Sequence, residues 1–288
     1  MPEAAPSILS SLREAILRLF ADEAIPLAGN IAFRTLFSVF PFLIFLTTIA
    51  GFIGNDKLAE SVVTFLLSAA PKHLVEPLVP EVRSILTTPR RGLAGLAALL
   101  TLWSAMSGVD SIRVGLNRAY DLREHRTLWQ LYGLDIVVVI GAVAVLLAFS
   151  LLIVVAPVTF NIIETYAPGF RQSVGTLDIA RYPIAIVLLA GALLLCHHVL
   201  PARRMAFAEV APGVALTVLV WVILAAAFSA YLVKFNTFAL TYASLSGIFA
   251  AMFFVYLSAL VLILGGELNR VITVHREARN HVMTDDQP

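Results

Sequence analysis

The chain has 288 residues, 59% of them hydrophobic and 14% charged, with a mean hydropathy of +0.89. A water-soluble domain carries about 25% charged and about 45–50% apolar residues, so a soluble globule is excluded. A formal net charge of +1 offers no basic face to nucleic acid, and the single cysteine, Cys196, excludes an intrachain disulfide or a multi-cysteine metal centre.

Six stretches contain no Asp, Glu, Lys or Arg: Thr35–Gly54, Gly92–Val109, Ile136–Val158, Tyr182–Leu200, Val210–Val233 and Ser244–Gly266. Each reaches the ~18–25 apolar residues that a helix needs to cross ~30 Å of hydrocarbon. The expected fold class is therefore all-α, a polytopic membrane bundle of six transmembrane helices. Its expected organisation is an interfacial segment over residues 1–34, a membrane domain over 35–266 and a tail over 267–288. Residues 1–30 lack the basic segment, apolar run and small-residue cleavage site of a signal peptide, so the first span is expected to direct insertion.

In chain order, residues 8–20 read as an amphipathic helix on the membrane, with Ile8, Leu9, Leu12, Ile16, Leu19 and Phe20 at helical spacing. Asn30 and Arg34 then lie four apart on the helix leading into the first span. Pro41 interrupts that span and is expected to kink it, with Ser38 or a neighbouring helix taking the freed carbonyl. Residues 55–91 form the longest connection. Leu58, Val62, Val63, Phe65, Leu66 and Leu67 suggest a short helix there, and Pro71, Pro77, Pro80 and Pro89 punctuate the return. This connection is expected to rest at the outer surface as one or two helices.

The second span ends with Asp110, Arg113, Asn117 and Arg118, and the spacing of Asp110 and Arg113 suits a pair on one face. Pro157 and Pro212 sit near span ends. His197 and His198 close the fourth span. Adjacent histidines point about 100° apart, which suits a helix end better than a shared metal. The sixth span opens with Ala243, Gly247 and Ala251, a small-residue row that permits close helix approach, and closes with Glu267, Asn269 and Arg270. Leu-Asn-Arg occurs at both Leu116–Arg118 and Leu268–Arg270, a short echo that coincidence explains better than an internal repeat.

Asn30, Arg34, Asp110, Arg113, Asn117, Glu267 and Asn269 thus crowd the helix ends at one side of the bilayer. Two readings stay open: anchoring by interfacial salt bridges, or a polar vestibule for an anionic headgroup or solute. With the N-terminus placed in the cytoplasm, that side holds twelve Lys and Arg residues against eight on the other, which favours cytoplasmic termini. No Walker loop, dinucleotide fingerprint or GxSxG elbow occurs, so neither catalytic residues, a metal nor a cofactor is expected.

Three segments, Ala32-Phe33-Arg34-Thr35-Leu36-Phe37-Ser38-Val39-Phe40-Pro41, Gly115-Leu116-Asn117-Arg118-Ala119-Tyr120-Asp121 and Gly265-Gly266-Glu267-Leu268-Asn269, resemble the YihY/virulence factor BrkB family. Leu200-Pro201-Ala202-Arg203-Arg204 is similar to that family's proline-basic segment after the fourth span. The resemblance covers roughly residues 20–275. Ala243, where glycine is expected, and Arg34, where an aromatic is commoner, depart from it. The resemblance implies a six-span bacterial inner-membrane protein with cytoplasmic termini. The family has carried ribonuclease, serum-resistance and lipid- or solute-export labels. Asp110 and Glu267, isolated among arginines, suit structural pairing better than the acid–base or metal chemistry of RNA hydrolysis. The expected function is a transporter or lipid translocator, the alternative a scaffold supporting the envelope. The expected partners are membrane lipids and a lipid or small-solute substrate, without nucleic acid, and a homo-oligomer stays open.

Overall fold

A computed structural model describes residues 8–53, 56–57, 59–60, 63–64, 79–87, 94–167, 169, 175–235 and 243–285. Among them every regular element is helical: α1 (Ile8–Ala21), α2 (Ala24–Ile53), α3 (Val79–Thr87), α4 (Ala94–Ala119), α5 (Leu128–Ser150), α6 (Ala156–Tyr166), α7 (Gly175–Val199), α8 (Phe207–Phe235) and α9 (Ala243–Asp285), with a π-helical turn at Leu151–Val155. Among the described residues six helical segments are long and apolar enough to cross a membrane: Ala24–Phe45, Gly95–Ala119, Leu128–Tyr166, Asp178–Val199, Phe207–Tyr231 and Gly247–Arg279. The expected six-span all-α class holds. Val137, Ile140, Val143, Leu146 and Leu147 on α5 are all exposed, a surface that hydrocarbon solvates and water does not.

The π turn explains how α5 and α6 make one span. Pro157 has no N–H to donate, and the Ala156 N–H reaches back to the Leu151 carbonyl, so the helix widens by one residue instead of breaking. Pro41 is likewise contained within a continuous α2. Ser38 Oγ donates to the Thr35 carbonyl at 2.7 Å, so this hydroxyl does not serve the Phe37 carbonyl that Pro41 leaves without its helical donor. Of the expected outer connection, Leu58, Val62, Phe65, Leu66, Leu67, Pro71, Pro77 and Pro89 lie outside the described residues, and α3 is its described helix.

The chain divides into two compact units, residues 33–108 and residues 1–32 with 109–288. Within the first, the Arg34 guanidinium donates to the Ser107 hydroxyl at 2.9 Å and to its carbonyl at 3.2 Å. The second unit contains three connected apolar clusters. Val109, Leu116, Leu193, Leu200, Val210, Val214 and Leu262 join the ends of α4 and α7 to α8 and α9. Leu19, Ala24, Ala28, Ile31, Ala119, Ala259 and Ile263 tie α1 and the start of α2 to α9. Ala15 meets Leu268 and Val271.

The amphipathic helix expected at residues 8–20 is α1. Its buried residues are Ser11, Ala15 and Leu19, which let it lie close against α9, while Leu9, Ile16 and Phe20 stay exposed. Helix approach on α9 also uses glycines other than the expected row. Gly247 and Ala251 are exposed, whereas Gly265 and Gly266 face α8 and α4. A Cβ on Gly266 would sit 3.0 Å from Ala119 Cβ, and one on Gly265 would sit 2.8 Å from the Gly213 carbonyl oxygen.

Candidate functional site

The polar groups of the second unit gather where the ends of α4 and α7 meet the first turns of α8 and the middle of α9. Residues Leu116–Asp121 organise this junction. Asp121 adopts a left-handed φ of 51°, and the Leu122 N–H returns to the Asn117 carbonyl at 2.8 Å, closing α4 with a Schellman-type cap. The turn that follows brings Glu124 back beneath α4. Arg113 donates to Glu124 at 2.7 Å and is also paired with Asp110, as the three-residue spacing predicted. Asn117 donates to the same Glu124 oxygen at 3.1 Å and accepts the Ala202 N–H at 2.7 Å. Burial pushes the Glu124 carboxyl up, but the Arg113 guanidinium, the Arg126 N–H and Asn117 outweigh it and hold it below the usual carboxylate range.

Arg126 extends the network to α7. Its guanidinium donates to the carbonyls of Val199, Leu200 and Pro201, groups left open where the helix ends. Asp135, on the first turns of α5, is buried and feels the charges of Arg113, Asp110 and Glu124. It stands one residue before the third charge-free stretch.

A second chain of hydrogen bonds runs through fully buried groups. Asn269 Oδ1 accepts the Gly213 N–H at 2.6 Å, and Asn269 Nδ2 donates to the Tyr120 hydroxyl at 2.9 Å. That hydroxyl lies 2.7 Å from His197 Nδ1. Because Asn269 already donates to it, the hydroxyl is the donor to the ring nitrogen. Burial pushes the Tyr120 hydroxyl well above the usual phenol range, against the lowering effect of Asn269, so its proton is retained. His197 therefore has a role at the helix end, but as a buried acceptor, whereas His198 stacks on Phe207.

Asp135 Oδ1 and His197 Nε2 are buried without a partner among the described residues, and Glu267 goes further. It is 0% exposed, and among the described residues neither carboxyl oxygen has a hydrogen-bond partner. Arg18, Asp22 and Arg118 supply the charges around it, yet Arg18 pairs with Glu14 at 3.1 Å and Arg118 approaches Asp22 at 3.7 Å. The expected pairing of Glu267 with an arginine is therefore corrected: its candidate partners are engaged by other carboxylates.

Of the residues singled out in the sequence, Asp110, Arg113 and Asn117 share one network. Asn269 belongs to the second chain, and Glu267 lies two residues before it on α9. Asn30 is exposed near the start of α2, and Arg34 is held by Ser107 within the other unit. Sequence reasoning missed Glu124, Arg126, Asp135, Tyr120 and His197 as members of the junction. The second Leu-Asn-Arg segment meets the residues that follow the first, through Asn269 with Tyr120 and through Arg270 with Asp121 at 2.8 Å.

A model of the family described as virulence factor BrkB matches residues 15–287. The ribonuclease-like protein YfkH of Bacillus subtilis (strain 168) is 28% identical over 271 residues, which cover 92% of this chain and 95% of that protein. No solved structure matches. The match includes the segments at 32–41, 115–121 and 265–269, two of which build the junction just described, and the chain belongs to the virulence factor BrkB family.

Proposed function

We propose that this protein moves a lipid or small solute across the bacterial inner membrane, with the α4–α7–α8–α9 junction as its polar site and both termini in the cytoplasm. The observation that carries this reading is Glu267. A buried carboxyl without a hydrogen-bond partner costs free energy, and a bundle whose only task is to stay folded has no use for it. Unpaired polar groups at membrane depth are the usual mark of a substrate or ion path. The placement of the termini rests on the twelve-to-eight bias of basic residues.

The scaffold reading draws on a different observation, the dense internal pairing of Arg113, Asp110, Glu124, Asn117, Tyr120 and His197. The two readings separate in proteoliposomes carrying a fluorescent phospholipid in the inner leaflet, with an external reductant that cannot cross the membrane. Translocation makes the inner label reducible, and Glu267→Gln slows this while leaving the folded yield unchanged. Vesicles that protect the inner label as well as protein-free vesicles do would favour the scaffold.

We further propose that the chain is not an enzyme. Asp110 and Glu124 are engaged by Arg113. Among the described residues no group of three or more His, Cys, Asp and Glu side chains is placed to hold a metal ion. Purified protein freed of contaminating nucleases should leave RNA intact with added divalent metal. Cleavage that disappears in Asp110→Ala or Glu267→Ala would overturn this.

A further inference from the structure

A cavity lies on the same unit, and its lining residues Pro212 and Leu268 adjoin Gly213 and Asn269 of the Tyr120–His197 chain. Helices α1, α8 and α9 enclose a cavity of about 500 Å³, within the ~300–1,000 Å³ typical of small-molecule sites. Its lining changes character along α9. Leu268, Ile272, His275, Arg276 and Arg279 fall at the spacing of one helical face. From Leu268 to Arg279 that face climbs about 16 Å. Leu12 of α1 and Leu216 of α8 complete the apolar end, and the two arginines form the opposite rim.

Among the described residues the charges at this rim are not neutralised. Glu14 is engaged by Arg18 at 3.1 Å and by His275 at 3.4 Å. Among the described residues no carboxylate pairs with Arg276 or Arg279, and the buried His275 Nδ1 has no hydrogen-bond partner. An apolar floor beside two open guanidiniums matches a molecule with a hydrocarbon end and an anionic head. A zwitterionic lipid would set its own cation against the arginines. A free anion would leave the floor unfilled.

We propose that this cavity binds one anionic phospholipid, with its phosphate on Arg276 and Arg279 and the start of an acyl chain against Leu12, Leu216 and Ile272. The site rests on its own lining and does not depend on the translocation reading. Binding alone tests it, so either proposal can fail without the other.

The test is native mass spectrometry of the full chain in neutral detergent, titrated with phosphatidylglycerol, phosphatidylcholine or inorganic phosphate. Phosphatidylglycerol should saturate at one tight adduct per chain, with phosphatidylcholine at least about tenfold weaker and inorganic phosphate without effect. Arg276→Gln with Arg279→Gln should weaken phosphatidylglycerol binding roughly 30-fold, from two phosphate contacts worth about fivefold each, while phosphatidylcholine binding stays as it was. Leu12→Trp, which fills the floor and keeps both arginines, should weaken both lipids, and it decides the matter if the double variant does not fold. Equal affinity for the two lipids, a double variant or Leu12→Trp variant that keeps wild-type phosphatidylglycerol affinity, or inorganic phosphate that displaces the lipid would each overturn the proposal.

Discussion

Replacing Gly213 by alanine tests whether the junction depends on contact between two helix backbones. The added Cβ would lie 1.9 Å from the Gly265 carbonyl oxygen and 2.6 Å from both polar atoms of the Asn269 amide. Ordinary contact begins near 3.4 Å, so α8 and α9 must separate by about 1.5 Å, because the nearer obstacle is backbone and cannot swing aside. That movement also breaks the 2.6 Å bond from Gly213 N–H to Asn269. Overpacking costs about 1–3 kcal/mol, and a buried acceptor left unpaired costs about 1–3 kcal/mol more. A loss near 3 kcal/mol corresponds to about 6–12 °C in melting temperature by soluble-domain scaling. Gly141→Ala is the control: its Cβ would meet nothing within 4 Å, and alanine relieves a helix penalty of about 0.5–1 kcal/mol. Thermal unfolding of both variants in the same detergent, followed by gel filtration with fluorescence detection, makes the comparison. A Gly213→Ala protein melting within about 2 °C of Gly141→Ala would refute the backbone-contact argument.

Tyr120→Phe removes the hydroxyl shared by His197 and Asn269 and leaves both buried groups unpaired. It should cost about 1–3 kcal/mol, read as a lower melting temperature that His197→Phe in the same chain partly restores. Glu124 gives the fold an acid limb. Its folded pKa lies below the unfolded value of about 4.3, so its contribution is complete above that value and is lost as pH falls through the folded pKa. Glu124→Gln should therefore flatten stability against pH below about 4.3, and an unchanged acid limb in the variant would count against the Arg113–Glu124 pair. Reporter fusions after Arg204 and after Arg276 should both report cytoplasm, and an external signal at either would reverse the proposed topology.

The spans were legible because hydrocarbon imposes a composition that no other environment requires: a run without charge, about twenty residues long. The Asp110–Arg113 pair was legible for a similar reason, since i, i+3 spacing fixes proximity on any helix. What remained hidden depends on how helices rotate about their axes. Tyr120 and His197 are 77 residues apart, and Asn269 and Tyr120 are 149 apart. No local rule brings them together. A signal was nevertheless present in Leu116–Asp121. Leu116 fills the core, Asn117 holds the turn after α7, Tyr120 holds α9, Arg118 and Asp121 form ion pairs, and Ala119 meets Gly266. The glycines of α9 were ambiguous for the same reason. A small-residue row predicts close approach, but which row is used depends on the partner's own small residues, and Gly213 supplies them at Gly265 and not at Gly247.

The junction thus combines two kinds of buried polarity with opposite consequences for stability. Hydrogen bonds join Asn269, Tyr120 and His197 Nδ1, so removing any member exposes an unmet donor or acceptor and weakens the fold. Glu267, two residues earlier on the same helix, is satisfied by no described residue, so exchanging its carboxyl for an amide of the same shape removes a charged state and no bond. Arg18 and Arg118 cannot turn to it without leaving Glu14 and Asp22, which keeps it apart from the surrounding ion pairs. A frame held by ion pairs and hydrogen bonds around a carboxyl that no described residue satisfies is the arrangement expected where stability is given up locally for activity. The paired residues hold α4, α7, α8 and α9 in place, and under the proposed function Glu267 is the group that this framework leaves to a substrate.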